Sequence, residues 1–181
     1  MSVGVTVTKN FNLAKINLDL SKELNMAADI IVKDIESGIE HGRDINGTSF
    51  KKLKPSTIHS KRHRGASTPR IALSDKGVMK KVYVPSGKRA TKSKQRVEII
   101  PPKKRADIGA YHQQGTKPHK IRVKKAKVLF PLFDSRGNKF GAKEVNHPGV
   151  PKREWFGISK TAESRVMKMT ELRIEKEIRD A

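Results

Sequence analysis

The chain has 181 residues, 35 % of them apolar, and carries 40 Lys and Arg against 18 Asp and Glu for a net charge of +22. That length suits one domain with a real core, and the charge asks for a polyanion or an acidic protein surface as partner. The absence of cysteine excludes disulfide staples, thiolate metal sites and cysteine nucleophiles. The opening residues lack a signal-peptide pattern and no apolar run approaches the roughly 20 residues of a membrane span, so a soluble, intracellular chain with no membrane contact is expected.

In chain order, Val3, Val5 and Val7 alternate with small or polar residues and predict a short half-buried strand. Residues 19–40 predict a helix, with Leu20, Leu24, Ala27, Ile31, Ile35 and Gly38 on one stripe. Asp19 or Ser21 can cap its start, and Gly38 and Gly42 mark its end. The stretch "GRDINGTSF" (42–50) is turn chemistry. Residues 51–70 hold Lys51, Lys52, Lys54, Lys61, Arg62, Arg64 and Arg70 with no acid and few apolar anchors. They predict an extended basic arm that orders on contact.

"KKVYVPSG" and "QRVEIIPP" predict two strands joined by a basic hairpin loop, within a basic stretch over 86–105 that includes Lys88, Arg89, Lys92 and Lys94. "ADIGAYHQQG" (106–115) predicts a short helical turn closed by Gly115. In it Ile108 and Tyr111 pack inward, while His112 and Gln113 bond nearby backbone groups. "AKVLFPLF" and "NKFGAKEV" flank "DSRG", a hairpin signal. A last helix over about 158–179 carries Ile158, Ala162, Val166, Met169 and then Leu172 or Arg173 on its apolar stripe. Together these elements make a single α+β domain over 1–181: a small antiparallel or mixed sheet packed with an N-terminal and a C-terminal helix, with long basic loops.

The excess charge is concentrated. Residues 51–127 hold 24 Lys/Arg against 3 Asp/Glu, a net of +21, whereas residues 1–50 net −2 and residues 128–181 net +3. Such loops can neutralise phosphates without reading sequence. With only Tyr83 and Tyr111 as aromatics in that segment, base stacking is not the main mode. The candidate contacts to DNA or an acidic partner are therefore Lys51, Lys52, Lys54, Lys61, Arg62, Arg64, Lys88, Arg89, Lys92 and Lys94.

Catalytic chemistry finds little support. His59 and His63 stand four apart, yet "SKR" lies between them, no glutamate adjoins the first, and the cationic surroundings oppose a metal ion. Asp75, Glu98 and Asp107 form no spaced carboxylate pair for a nuclease metal, and there is no P-loop, dinucleotide fingerprint or nucleophile elbow. No catalytic, metal or cofactor residue is assigned. Tyr111, His112, Gln113 and Gly115 read as a structural turn. The cluster Lys152, Arg153, Trp155 and Phe156 has the composition of an interface anchor, and Trp155 fits core packing equally well.

Several stretches taken in order resemble the phage virion-morphogenesis family, the tail-completion or neck proteins of tailed bacteriophages. They are "GRDINGTSFKKLKPST" (42–57), "RIALSDKGVMKKVYV" (70–84), "AYHQQGT" (110–116) and "NHPGVPKREWFGIS" (146–159). The loops at 59–70 and 86–105 are more basic than the family pattern, and the hairpin around Asp134–Asn138 is an elaboration. The resemblance implies a non-enzymatic virion protein, a small α+β domain that assembles as a ring, often hexameric, at the head–tail junction. Its partners would be further copies of itself, the connector or head-closure protein, and the tail tube or terminator. The alternative from composition is a nonspecific nucleic-acid-binding protein of the ribosomal or packaging type.

Overall fold

The structure, a computed structural model, describes residues 3–5, 19–124 and 126–180. Its elements in chain order are β1 (Val3–Val5), α1 (Ser21–His41), α2 (Pro55–His63), β2 (Val97–Ile99), α3 (Ala106–Gln114), β3 (His119–Arg122), β4 (Leu129–Phe133), β5 (Lys139–Ala142), β6 (Glu144–His147) and α4 (Lys160–Asp180). The fold is α+β, as expected. Its strands form three two-stranded antiparallel ladders, β1–β2, β3–β6 and β4–β5. Val7, expected to extend the first strand, lies outside the described residues.

α1 is the axis of the core. Neither candidate is the N-cap, which is Leu20 and makes no side-chain bond; Asp19, one residue earlier, accepts the Ser21 N–H on its carboxylate at 2.9 Å. Gly42 ends the helix in the left-handed conformation, φ +66°, and the Gly42 and Arg43 N–H groups bond the Ile39 and Gly38 carbonyls. The buried stripe Leu24, Ala28, Ile31, Ile35 and Ile39 packs against Met79, Val82, Val97, Ile99, Trp155 and Phe156. Ile31, Ile39 and Ile99 are fully enclosed, each worth about 1.5–3 kcal/mol of hydrophobic burial.

α4 starts at a Ser159 hydroxyl that accepts the Ala162 N–H at 3.0 Å. Ala162 is buried against the core. Further along, Arg173 rather than Leu172 turns inward, reaching the buried Glu23 of α1 at 3.2 Å, while Leu172 is 57 % exposed. Among the described residues no helix is long and apolar enough to cross a membrane.

Two expectations need correction. The arm over 51–70 is not an extended chain: Pro55–His63 form α2, with proline in the first turn, where its missing N–H costs nothing. "KKVYV" (80–84) follows a single helical turn at Val78–Lys80 and contributes one bridge, Tyr83 to Ile100, rather than a strand. The basic loop after it is fastened to the body. Asn25 of α1 both accepts from the Ala90 N–H (2.9 Å) and donates to its carbonyl (3.0 Å), and Ala90 is buried.

Candidate functional site

α3 and the segment 146–159 form one interlocked unit, and glycines make the close approach possible. A Cβ on Gly109 would lie 2.8 Å from Trp155 Cζ2 and 3.1 Å from Met79 Cε, so only glycine lets the indole lie across α3. Trp155 Nε1–H then donates to the Gly109 carbonyl at 2.9 Å. A Cβ on Gly149 would sit 2.1 Å from the Thr116 carbonyl oxygen, and its φ of +82° is a conformation side chains rarely adopt. Around it the Thr116 N–H donates to Val150 O at 2.9 Å, and the Val150 N–H donates to the Thr116 hydroxyl at 2.8 Å.

The side chains of the 110–115 turn reach across this joint. Gln113 donates to the Phe156 carbonyl at 2.9 Å and accepts the Phe156 N–H at 3.1 Å, so its amide acts as a strand-like partner. The His112 carbonyl accepts the Arg153 N–H at 2.7 Å, and the Arg153 guanidinium donates to His112 Nδ1 at 3.0 Å. Arg153 also donates to the Lys51 carbonyl at 3.2 Å. Because guanidinium has no acceptor, His112 is the acceptor at Nδ1 and its proton sits on Nε2. Burial, with the positive charges of Arg153 and Lys61 added, pushes the His112 pKa down to about 4. His112 is therefore neutral at pH 7, with its basic nitrogen occupied by a permanent cation.

The expected backbone bonding of this turn is non-local rather than local. Tyr111, expected inside, is 54 % exposed. The inward face of α3 is Ile108, Gly109, His112 and Gln113, because the indole over Gly109 fixes the helix's rotation. Gly115 closes the turn at φ +75° as expected, and a Cβ there would press on the Lys152 backbone at 3.1 Å.

Beside His112 lies an open cavity of about 480 Å³ between α2, the turn 71–79 and α3. Its floor includes Leu53, Leu73, Met79 and Ile108, and Arg64 and Asp75 stand in its wall. Lys61 lines it too, but with its ammonium turned into backbone: it donates to the carbonyls of Ile71 at 2.5 Å, Ser74 at 2.7 Å and Thr68 at 3.5 Å. Burial lowers its pKa, opposed by the nearby Asp75 charge. The turn it gathers includes Leu73 at φ +62°, a strained conformation for a branched side chain.

The structure thus divides the basic residues expected to contact DNA or an acidic partner. Lys61 is only 5 % exposed and leaves that set; it is a staple for the 68–74 turn. Lys88 pairs with Glu98 at 3.0 Å, Arg89 with Asp29 at 3.1 Å and Arg64 with Asp75 at 3.6 Å. Lys51, Lys52, Lys54, Arg62, Lys92 and Lys94 are exposed and have no ion pair among the described residues. The proposed interface anchor also divides: Trp155, Phe156 and Arg153 are 4 %, 5 % and 4 % exposed, and their place is the core, whereas Lys152 is exposed and pairs with Glu154.

His59 and His63 do lie on one helix, but both pack on the β4–β5 hairpin. The His63 ring meets Phe133 at 5.3 Å, and His59 lies where a Gly137 Cβ would be, 2.7 Å away. Among the described residues no three His, Asp, Glu or Cys side chains are grouped to hold a metal ion. Sequence reasoning missed Gly109, Gly149 and the buried state of Lys61; the two glycines carry a signal only as glycines within otherwise ordinary turn stretches.

No protein-family model, curated protein or solved structure matches the chain significantly.

Proposed function

We propose that the chain is a structural virion protein of a tailed bacteriophage. It forms a ring, hexameric on the family pattern, at the head–tail junction, where it joins tail to head and lets DNA pass. It works by assembly and docking, without catalysis. Its partners are its own copies, the connector or head-closure protein, and the tail tube or terminator. It acts in the virion after assembly in the host cytoplasm.

The observation that carries this reading is the interlock of residues 109–116 with 149–156. Two stretches that resemble the family, far apart in sequence, meet as one unit. Their histidine, glutamine, tryptophan and arginine hold the fold together. A signature made of such residues belongs to a scaffold. Imaging of the purified protein by negative stain, with mass spectrometry of purified virions, tests the reading. Rings with a central channel, and the chain present in virions, are expected; virions lacking the chain would overturn it.

The exposed lysines 51, 52, 54, 92 and 94 favour a second reading, a nonspecific nucleic-acid-binding protein. Tight binding of random DNA by the isolated chain, falling steeply with salt, together with absence from virions, would support that one.

A further inference from the structure

Several energetically unfavourable features of the chain converge on the cavity beside His112. Leu73, in its floor, holds a φ of +62°. Asp75, in its wall, has one carboxylate oxygen, Oδ1, enclosed without a hydrogen-bond partner among the described residues. Lys61 is buried beside them, and burial keeps His112 uncharged at neutral pH. Backbone strain, buried ionisable groups and an open hollow coincide where a fold gives up stability to hold a ligand.

The lining is one-sided in its chemistry. The floor of Leu53, Leu73, Met79 and Ile108 is aliphatic. His112 is the only aromatic ring in the lining among the described residues, so a nucleobase finds no broad face to stack on. Lys61, Arg64 and Lys76 line the cavity against a single acid, Asp75, which leaves positive charge in excess. The Lys61 ammonium is engaged with three carbonyls and adds its field but no free donor. Arg64 stands 3.6 Å from Asp75 Oδ2, longer than a hydrogen bond, and Lys76 is exposed with no ion pair among the described residues. Both therefore have donors to give. The His112 ring adds another: Arg153 occupies Nδ1, and the Nε2–H has no partner among the described residues. Asp75 does not balance these groups by drawing in a cation, because Oδ1 is enclosed and Oδ2 faces Arg64.

We propose that this cavity binds a small organic anion, an alkyl carboxylate, with its chain on Leu53, Leu73, Met79 and Ile108 and its carboxylate toward Arg64 and Lys76. The volume of about 480 Å³ falls among small-ligand sites, which run roughly from 300 to 1,000 Å³. Burial of the alkyl chain supplies the affinity, and the two cations select the sign of the head group. The site follows from the cavity alone and does not rest on the proposed function.

Titration of the full chain at neutral pH with octanoate, octan-1-ol and octylammonium tests the site. Trp155 is the chain's one tryptophan and lies across Gly109 beside Met79, which lines the cavity, so its fluorescence reports occupation. Octanoate is expected to bind with a Kd of about 1 mM. Octylammonium binds at least about tenfold more weakly, and octanol falls between them. Arg64→Gln with Lys76→Gln weakens octanoate about tenfold and leaves octanol within about twofold. Lys92→Gln with Lys94→Gln removes the same charge outside the cavity and leaves octanoate binding unchanged. Ile108→Phe fills the floor and weakens octanoate and octanol together; Thr57→Phe, at the exposed rim, does the same without touching the core. Circular dichroism and melting identify the variants that fold. Octylammonium binding as tightly as octanoate, or equal losses from the two charge pairs, would overturn the proposal. So would the absence of any fluorescence change up to about ten times the expected Kd.

Discussion

Lys61 and Lys139 are the same residue type in the same cationic chain, yet they sit in opposite physical situations. Lys61 is enclosed, and its ammonium is divided among three backbone carbonyls. Lys139 faces solvent on a hairpin that also exposes two phenylalanines. The same contrast holds for aromatics: Trp155 is locked over Gly109 with its N–H satisfied, and Phe130 stands in solvent. Net charge and composition describe both regions identically, but only the second has anything left to offer a partner. A buried cation with all its hydrogen bonds made is scaffold; an exposed cation beside exposed apolar surface is open to a partner.

The comparison can be broken most severely at the interlock. Trp155→Ala removes a buried indole and its hydrogen bond to the Gly109 carbonyl, and a loss of about 4 kcal/mol is expected in chemical denaturation. A loss below about 1 kcal/mol would mean that the indole is not a core element. Lys61→Met keeps the length but removes a donor from three carbonyls, of which Thr68 O keeps the Ile71 N–H and Ser74 O the Thr68 hydroxyl, and releases the strained Leu73 turn. About 3 kcal/mol is expected, read from the denaturant midpoint. A neutral result would return Lys61 to the surface set.

His112 sharpens the comparison through pH. Its unfolded pKa is near 6.5 and its folded pKa is about 4, so between those values the unfolded chain binds more protons. Stability is full above pH 6.5 and falls as the pH drops toward 4, by on the order of 2–3 kcal/mol. Burial lowers the His147 pKa as well, which adds to the loss in the same direction. His112→Gln retains a hydrogen-bond acceptor for Arg153 and does not titrate, so its denaturation midpoint is expected to vary less with pH over this window. A slope equal to that of the unmodified chain would exclude His112 as its source.

The smallest expected effect lies outside. Phe130→Ser and Lys139→Glu change stability by no more than about 0.5 kcal/mol, as surface substitutions do. A loss above about 2 kcal/mol in thermal melts would show that the hairpin is part of the core.

What was legible in the sequence was local. The three- and four-residue spacing from Leu20 to Gly38 delimited α1, and Gly42 ended it, because both signals act within one or two turns. "DSRG" fixed the β4–β5 hairpin, where Asp134 bonds the turn's own N–H groups. The α3 turn and Gly115 were legible for the same reason. α2 was not, because "PSTIHSKRH" has no apolar stripe; it is held by Lys61 reaching a later turn and by histidines packing on a hairpin some 70 residues away. The interlock was half legible: its two stretches stood out, but their meeting depends on Gly109 and Gly149 yielding space to groups distant in sequence. Whether Trp155 was core or interface could not follow from its neighbours, since Arg153 and Phe156 suit either setting.

On the proposed virion reading, a cryo-EM map of a phage head–tail junction tests the central claim most directly, that the interlock is scaffold and the outer surfaces make the contacts. The expected map shows the chain as a ring, with His112, Arg153 and Trp155 enclosed within each copy. A particle without the chain, or a map in which His112 and Trp155 face a neighbouring subunit or the DNA, would contradict it.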